Sequence, residues 1–227
     1  MSERLIQILL SAFPKLLLYC IKVTVPLTII VFILSLILAL CTALVQIYHV
    51  KILDKFAKFY IWLFRGTPLI VQLYIIFFGL PSIGITLNAY VSAVIAFSLN
   101  YAAYNSETIR AAILAVPEGQ TEAGYMIGLS GFKIMTRIVL PQAARIAFPT
   151  LMGSLIGLSK DTSLAASITV VEMFKTAQQI AASTFEPMAL YCEVALIYLV
   201  LCTLLTFIQR SLESRLEWKK TDVEDAA

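Results

Sequence analysis

Two stretches of this chain, residues 23–48 and 66–106, contain no charged side chain at all. A helix needs about 20 apolar residues to cross the hydrocarbon core of a bilayer, so the first run is one span and the second is too long to be one. Gly79, Pro81, Gly84 and Asn88 are turn formers in the middle of the second run. They divide it into helices over about 59–79 and 89–112. Residues 187–209 form a further apolar run interrupted only by Glu193. The chain as a whole is 60% hydrophobic and 14% charged, whereas a soluble domain has roughly twice that share of charge. The solvent for most of it is lipid.

Residues 1–22 carry Arg4, Lys15, Lys22 and a mid-segment Pro14, with no small-residue cleavage site after the apolar stretch. They read as an amphipathic lead-in helix rather than a cleaved signal. Segment 147–174 has the length of a span but holds Lys160 and Asp161 in its middle. Charges there are costly unless paired or hydrated. One reading is a broken helix, its polar break facing protein or a cavity and its second half beginning near Ser163. The other is a short span ending at 159, followed by an interfacial helix. Lys51, Lys55 and Lys58, then Arg110, Lys133, Arg137 and Arg145, and finally Arg210, Arg215, Lys219 and Lys220 fall on one side of the resulting topology. The positive-inside rule makes that side cytoplasmic. The expected fold is an all-α polytopic membrane domain over 1–227 with five spans, N-terminus out and C-terminus in. A solvated tail occupies 210–227.

Several function classes drop out. There is one histidine, His49, and the four cysteines lie in apolar stretches without CxxC spacing. No metal site or catalytic constellation is expected, and no catalytic residue is assigned. The sequence lacks GxxxxGK[ST], so ATP and magnesium, if used, bind a partner. A net charge of +3 implies no nucleic acid.

The most patterned segment is 113–146. After Pro117-Glu118-Gly119 comes Glu122-Ala123-Gly124-Tyr125-Met126-Ile127-Gly128. The small residues at 123 and 124 permit close approach of another backbone, and Gly128 can end a short helix. Ser130 is placed to cap a second helix over 131–140, which Pro141 should limit. This is a helix–turn–helix elbow exposed to cytosol, either a partner site or a folded-back loop.

The elbow resembles the EAA motif of the transmembrane subunits of bacterial ABC importers: Glu122-Ala123-Gly124, three residues, Gly128, nine residues, then Ile138-Val139-Leu140-Pro141. Gly124 stands where that pattern usually has Ala. Arg65 through Gln72, Tyr104 through Arg110 and Lys160 through Leu164 resemble the polar amino acid permease branch. The resemblance implies that Glu122, Ala123, Gly124, Gly128, Ile138, Leu140 and Pro141 couple the chain to a cytoplasmic ATPase subunit. It also implies a second permease subunit, identical or related, and a solute-binding protein that delivers an amino acid from outside. The chain would then sit in the bacterial inner membrane.

Within the spans, Thr67, Pro68, Asn100, Asp161, Thr162 and Ser163 are the candidate substrate residues. Pro68 frees a backbone carbonyl. The expected helix N-terminus near Thr162 and Ser163 would receive a carboxylate, Asp161 would attract an ammonium, and Asn100 would fix orientation. Alternatively, Lys160 neutralises Asp161 and Asn100 only ties helices together. Arg65 and Glu107 lie at equal depth and are expected to form a structural or gating ion pair, with Arg110 as another partner for Glu107. The implied function is ATP-driven import of polar amino acids by alternating access. An ion-gradient transporter or channel is the rival.

Overall fold

The computed structural model describes residues 3–216, and all regular structure among them is helical. Eight helices follow in order: α1 Glu3–Ile47, α2 Lys51–Gly66, α3 Leu69–Ile83, α4 Ala89–Leu114, α5 Glu118–Met126, α6 Gly131–Ile168, α7 Met173–Thr184 and α8 Pro187–Leu216. Three of them, α1, α6 and α8, are long and apolar enough to cross a membrane, and the bent pair α2–α3 makes a fourth. At 26 residues, α4 is about 39 Å long but more polar. Its Ser92, Ser98, Asn100, Asn105 and Ser106 are buried among neighbouring helices. From 217 onward the expected tail lies outside the described residues.

Residues 3–22 and the first span form one helix of 45 residues, about 67 Å long. The join is a π turn at Cys20–Thr24, where the Val25 N–H bonds the Cys20 carbonyl and Pro26 follows. The same device recurs twice. Ile75–Gly79 is a π turn followed by Pro81, and Met135–Val139 is one followed by Pro141. A proline has no N–H and its ring collides with the carbonyl four residues back. Widening the preceding turn accommodates both demands. Pro141 therefore does not end a helix at 140 as expected; α6 runs through it from Gly131 to Ile168.

The second expected difference lies at 159–163. Residues Leu140–Asp161 are α-helical and Thr162–Ile168 tighten to a 3₁₀ turn without a break. The chain leaves the helix axis only at Thr169, whose φ is +69°. Polar residues there find partners without a break. The Thr162 hydroxyl donates to the Ser159 carbonyl (2.9 Å) and Tyr101 donates to Asp161 (2.8 Å). No new helix N-terminus forms at Ser163; the next one is at Met173.

Three apolar clusters hold the bundle. Leu27, Val31, Leu73, Ala96, Phe97 and Leu158 join α1, α3, α4 and α6. Ala12, Leu16, Met173, Ala177, Leu190 and Val194 join the start of α1 to α7 and α8. Ala112, Ile113, Ile134, Val139 and Ala143 tie the end of α4 to the elbow. Fully buried Ala39, Ala43, Ala93, Ala96, Ala102 and Ala103 let α1 and α4 approach closely, as lipid-embedded helices require where packing replaces the hydrophobic effect.

Candidate functional site: a polar cavity between helices

The break between α2 and α3 begins with local sequence chemistry. A residue before proline disfavours helical angles, and Thr67 is extended (φ −123°, ψ 147°), as is Pro68 (φ −64°, ψ 136°). The chain turns by 107° there, so the expected helix over 59–79 is two helices. The carbonyls freed at the end of α2 are recovered by side chains. The Thr67 hydroxyl donates to Leu63 O (2.8 Å), and the Gln72 amide donates to Phe64 O (2.9 Å) and to Thr67. Gln72 Oε1 accepts from Asn100 Nδ2 (3.0 Å), which also reaches Phe64 O (3.3 Å). Gln72 thus fastens the bend to α4.

Inside this corner lies a cavity of about 600 Å³. Of the candidate substrate residues, Thr67, Pro68, Asn100 and Asp161 line it. Thr162 and Ser163 do not: Thr162 is fully buried with its hydroxyl turned to its own helix, and neither starts a helix. Asn100 lines the cavity, and its amide nitrogen ties α4 to the bend. Asp161 is not neutralised by Lys160, which is exposed and makes no ion pair among the described residues. Its one side-chain partner among them is the Tyr101 hydroxyl.

Arg65 and Glu107 both line the cavity but do not pair. Glu107 takes both oxygens to Arg110 (3.2 and 2.9 Å). The Arg65 guanidinium lies 5.3 Å from the centroid of the Tyr104 ring, a cation–π contact, and Tyr104 donates to the Arg65 carbonyl. The expected Arg65–Glu107 pair is therefore replaced by two separate arrangements, because the i,i+3 partner on the same helix is nearer in sequence and needs no adjustment between helices.

Leu69, Tyr101, Tyr104, Asn105, Thr108, Thr150 and Ser154 complete the lining; none was a candidate site residue, although Tyr104, Asn105 and Thr108 lie in the segment 104–110 that carries part of the family resemblance. Asn105 is 2% exposed and links three helices: it donates to Ser35 on α1 (3.3 Å) and accepts from Ser154 on α6 (2.8 Å). A polar residue within an apolar span is the signal that could have found it.

Glu172 was also missed. It is fully buried and caps α7, accepting from the Phe174 and Lys175 N–H groups (2.8 and 2.6 Å) and from the Tyr198 hydroxyl on α8 (3.3 Å). The Thr24 hydroxyl at the π turn of α1 lies at 3.5 Å.

The elbow has the expected first helix, α5, closed by Gly128 at φ +80°. Tyr125, Met126, Ile127 and Phe132 are 58–90% exposed, an apolar surface beside exposed Glu122 and Ala123. Gly124 points the other way. It is buried, and a Cβ there would meet Ile134 Cγ1 at 2.8 Å. Ser130 stands at the start of α6, but its side chain makes no capping bond. Ile138 and Leu140 are half-buried and Pro141 is exposed.

Comparison with known proteins supplies the context for this geometry. The profile described as "Binding-protein-dependent transport system inner membrane component" matches residues 32–218. The chain is 49% identical over 195 residues to the L-cystine transport system permease protein TcyB of Bacillus subtilis, covering 86% of this chain and 83% of that protein. It is 37% identical over 196 residues to the arginine transport system permease protein ArtQ of the same organism, covering 86% and 90%. A crystal structure of an amino acid ABC transporter with histidines superposes with a TM-score of 0.85 at 28% identity, over 95% of this chain and all of that one.

Proposed function

The chain belongs to the family of binding-protein-dependent transport system inner membrane components, and on that premise we propose that it is the membrane-spanning subunit of an ATP-driven importer of polar amino acids. It crosses the membrane five times, with α4 as the fifth span beside α1, α2–α3, α6 and α8. Its N-terminus is outside and its C-terminus in the cytoplasm. A separate ATPase subunit binds ATP and magnesium and docks on α5 and the turn through Gly128. A second permease subunit completes the membrane unit, and a solute-binding protein presents the amino acid.

The observation that carries this reading is the polar cavity at the α2–α3 bend, lined by residues of α2, α3, α4 and α6 that include both Asp161 and Arg65. Asp161 is an acceptor for an ammonium and Arg65 a donor for a carboxylate, and Asn100 contributes a carbonyl oxygen. A charged solute leaving water needs such partners, since burying an unpaired ion costs several kcal/mol. Alternating access then follows from the elbow: motion delivered to α5 passes into α4, which forms one wall of the cavity.

The test is reconstitution in liposomes with the ATPase and binding protein encoded beside it. Amino acid uptake that requires ATP and ceases when the ATPase is omitted is the expected result. Uptake that proceeds on an ion gradient without nucleotide would sink the proposal in favour of a secondary transporter.

A further inference from the structure

Helix α2 has two sides of unlike character. Asp54, Ala57, Ile61 and Phe64, three or four residues apart, are buried or half-buried, and α1 and α4 are the long helices packed against α2. The opposite side is open: Ile52 is 72% exposed, Phe56 66%, Phe59 57% and Trp62 69%. Lipid tails cover the exposed apolar side chains of any span, so these alone select no ligand. The lysines among them do. Lys58 is held by Asp54 at 2.7 Å, and Asp54 is the only acid on α2. Lys51 and Lys55 are exposed, and neither pairs with an acid among the described residues. They stand one turn apart, about 5–6 Å between Cβ atoms. With Ile52, Phe56 and Phe59 they line a groove of about 380 Å³.

We propose that this groove is a binding site for an anionic phospholipid, its phosphate between the Lys51 and Lys55 ammonium groups and an acyl chain along Phe56, Phe59 and Trp62. Lysine binds phosphate as a point charge, and its stem lies on apolar surface while the ammonium stays at the headgroup level. A zwitterionic lipid brings its own cation, which opposes the lysine pair; a lipid of net negative charge does not. The apolar track is continuous. The Phe59 and Trp62 ring centroids are 5.8 Å apart, and Lys55 to Trp62 is seven residues of helix, about 10 Å. A second copy of the chain is the other occupant such a face could take. Lysine is depleted from protein–protein interfaces. Since the one acid of α2 is already bonded to Lys58, a copy docked here would meet two uncompensated charges, which are costly to bury.

Trp62 is the reporter for the test. The chain has two tryptophans, Trp62 and Trp218, so the full-length Trp218→Phe protein reads Trp62 alone. It is reconstituted in phosphatidylcholine vesicles that contain either dibrominated phosphatidylglycerol or dibrominated phosphatidylcholine, whose bromines quench an indole they touch. The anionic quencher is expected to act at about tenfold lower mole fraction or better, as two lysines near a headgroup imply. Lys51→Gln with Lys55→Gln should bring the two lipids within about twofold of each other. Lys51→Arg with Lys55→Arg keeps the difference. Lys133→Gln with Arg137→Gln removes the same charge from the elbow and leaves the difference unchanged. Melting curves show that each variant is folded. Equal quenching by the two lipids in the parent, or an unchanged difference in the folded Gln pair at 51 and 55, overturns the proposal. An equal fall in the elbow variant also overturns it, by showing diffuse attraction without a site. Quenching by neither lipid means that protein covers the face, and a second copy takes the groove. Both leaflets carry each lipid, so the outcome is independent of the topology and of the transport reading above.

Discussion

Gly124 offers a sharp test of the elbow, because a motif and a structure make opposite demands there. The motif this chain resembles usually has Ala at that position, and Ala is the better helix former by about 1 kcal/mol in a helix interior. In this chain an added Cβ would lie 2.8 Å from Ile134 Cγ1, 3.1 Å from its Cδ1 and 3.3 Å from Ile138 Cδ1. Ile134 is 2% exposed, so its side chain cannot swing aside without displacing the cluster that ties α4 to α6. Overpacking of this kind costs about 1–3 kcal/mol. Set against the propensity gain, Gly124→Ala should destabilise the elbow by about 1 kcal/mol. In a protein of this size that is a fall of about 2–4 °C in melting temperature, read by thermal unfolding of the purified protein in detergent. A second substitution separates the collision from any other effect. Ile134→Ala alone opens a cavity and should cost about 2–5 kcal/mol, but it removes the atoms that Gly124→Ala strikes. The double variant should be more stable than the sum of the singles by about 1 kcal/mol or more. A Gly124→Ala protein that melts at or above the parent temperature would refute the claim that Ile134 dictates glycine here.

Three further expectations concern the interior. Glu172→Gln must turn an amide N–H₂ toward one of two backbone N–H groups that the carboxylate now accepts, so it should cost about 1–3 kcal/mol in thermal unfolding; Glu172→Ala also strips Tyr198 of its acceptor and should be worse. Gln72→Leu and Asn100→Leu should each destabilise by about 1–3 kcal/mol, and a double-mutant cycle should return a coupling of at least about 0.5 kcal/mol, since they share the bond that fastens the bend. Asp161→Asn keeps an acceptor for Tyr101 but removes the charge. It should leave the melting temperature within a few degrees while lowering substrate affinity about tenfold or more, and unchanged affinity would remove Asp161 from the site.

What the residues disclosed beforehand depended on whether their constraint was local. Charge-free runs and the Gly128 turn are properties of neighbouring residues, and they could be read from spacing; the break at Thr67-Pro68 fell inside an expected helix over 59–79. The prolines show where local reading stops. Pro68 breaks a helix, while Pro26, Pro81 and Pro141 are absorbed by π turns that no propensity rule anticipates. Asp161 shows the same limit. Read alone, an acid in mid-span demands a break; Tyr101, sixty residues earlier, removes the demand. Glu172 was invisible for the same reason. Its role as a cap is local, but its burial is set by Thr24 and Tyr198 on helices far away in sequence. Arg65 and Glu107 were expected to pair at equal depth; both line the cavity but do not pair, because depth along a helix gives proximity without direction.

The connection between α4 and α5 has a mechanical consequence. Only residues 115–117 separate Leu114 from Glu118, and the last of them is proline. Ala112, Ile113 and Val116 are packed against Ile134 and Val139 across the elbow. There is no slack in such a joint. The Thr67-Pro68 corner is built differently, with side-chain hydrogen bonds taking the place of a continuous backbone ladder. Under the proposed function, the α4–α5 strut would pass a push on α5 into α4 instead of absorbing it. Two or three glycines inserted after Ala115 would turn the strut into a tether.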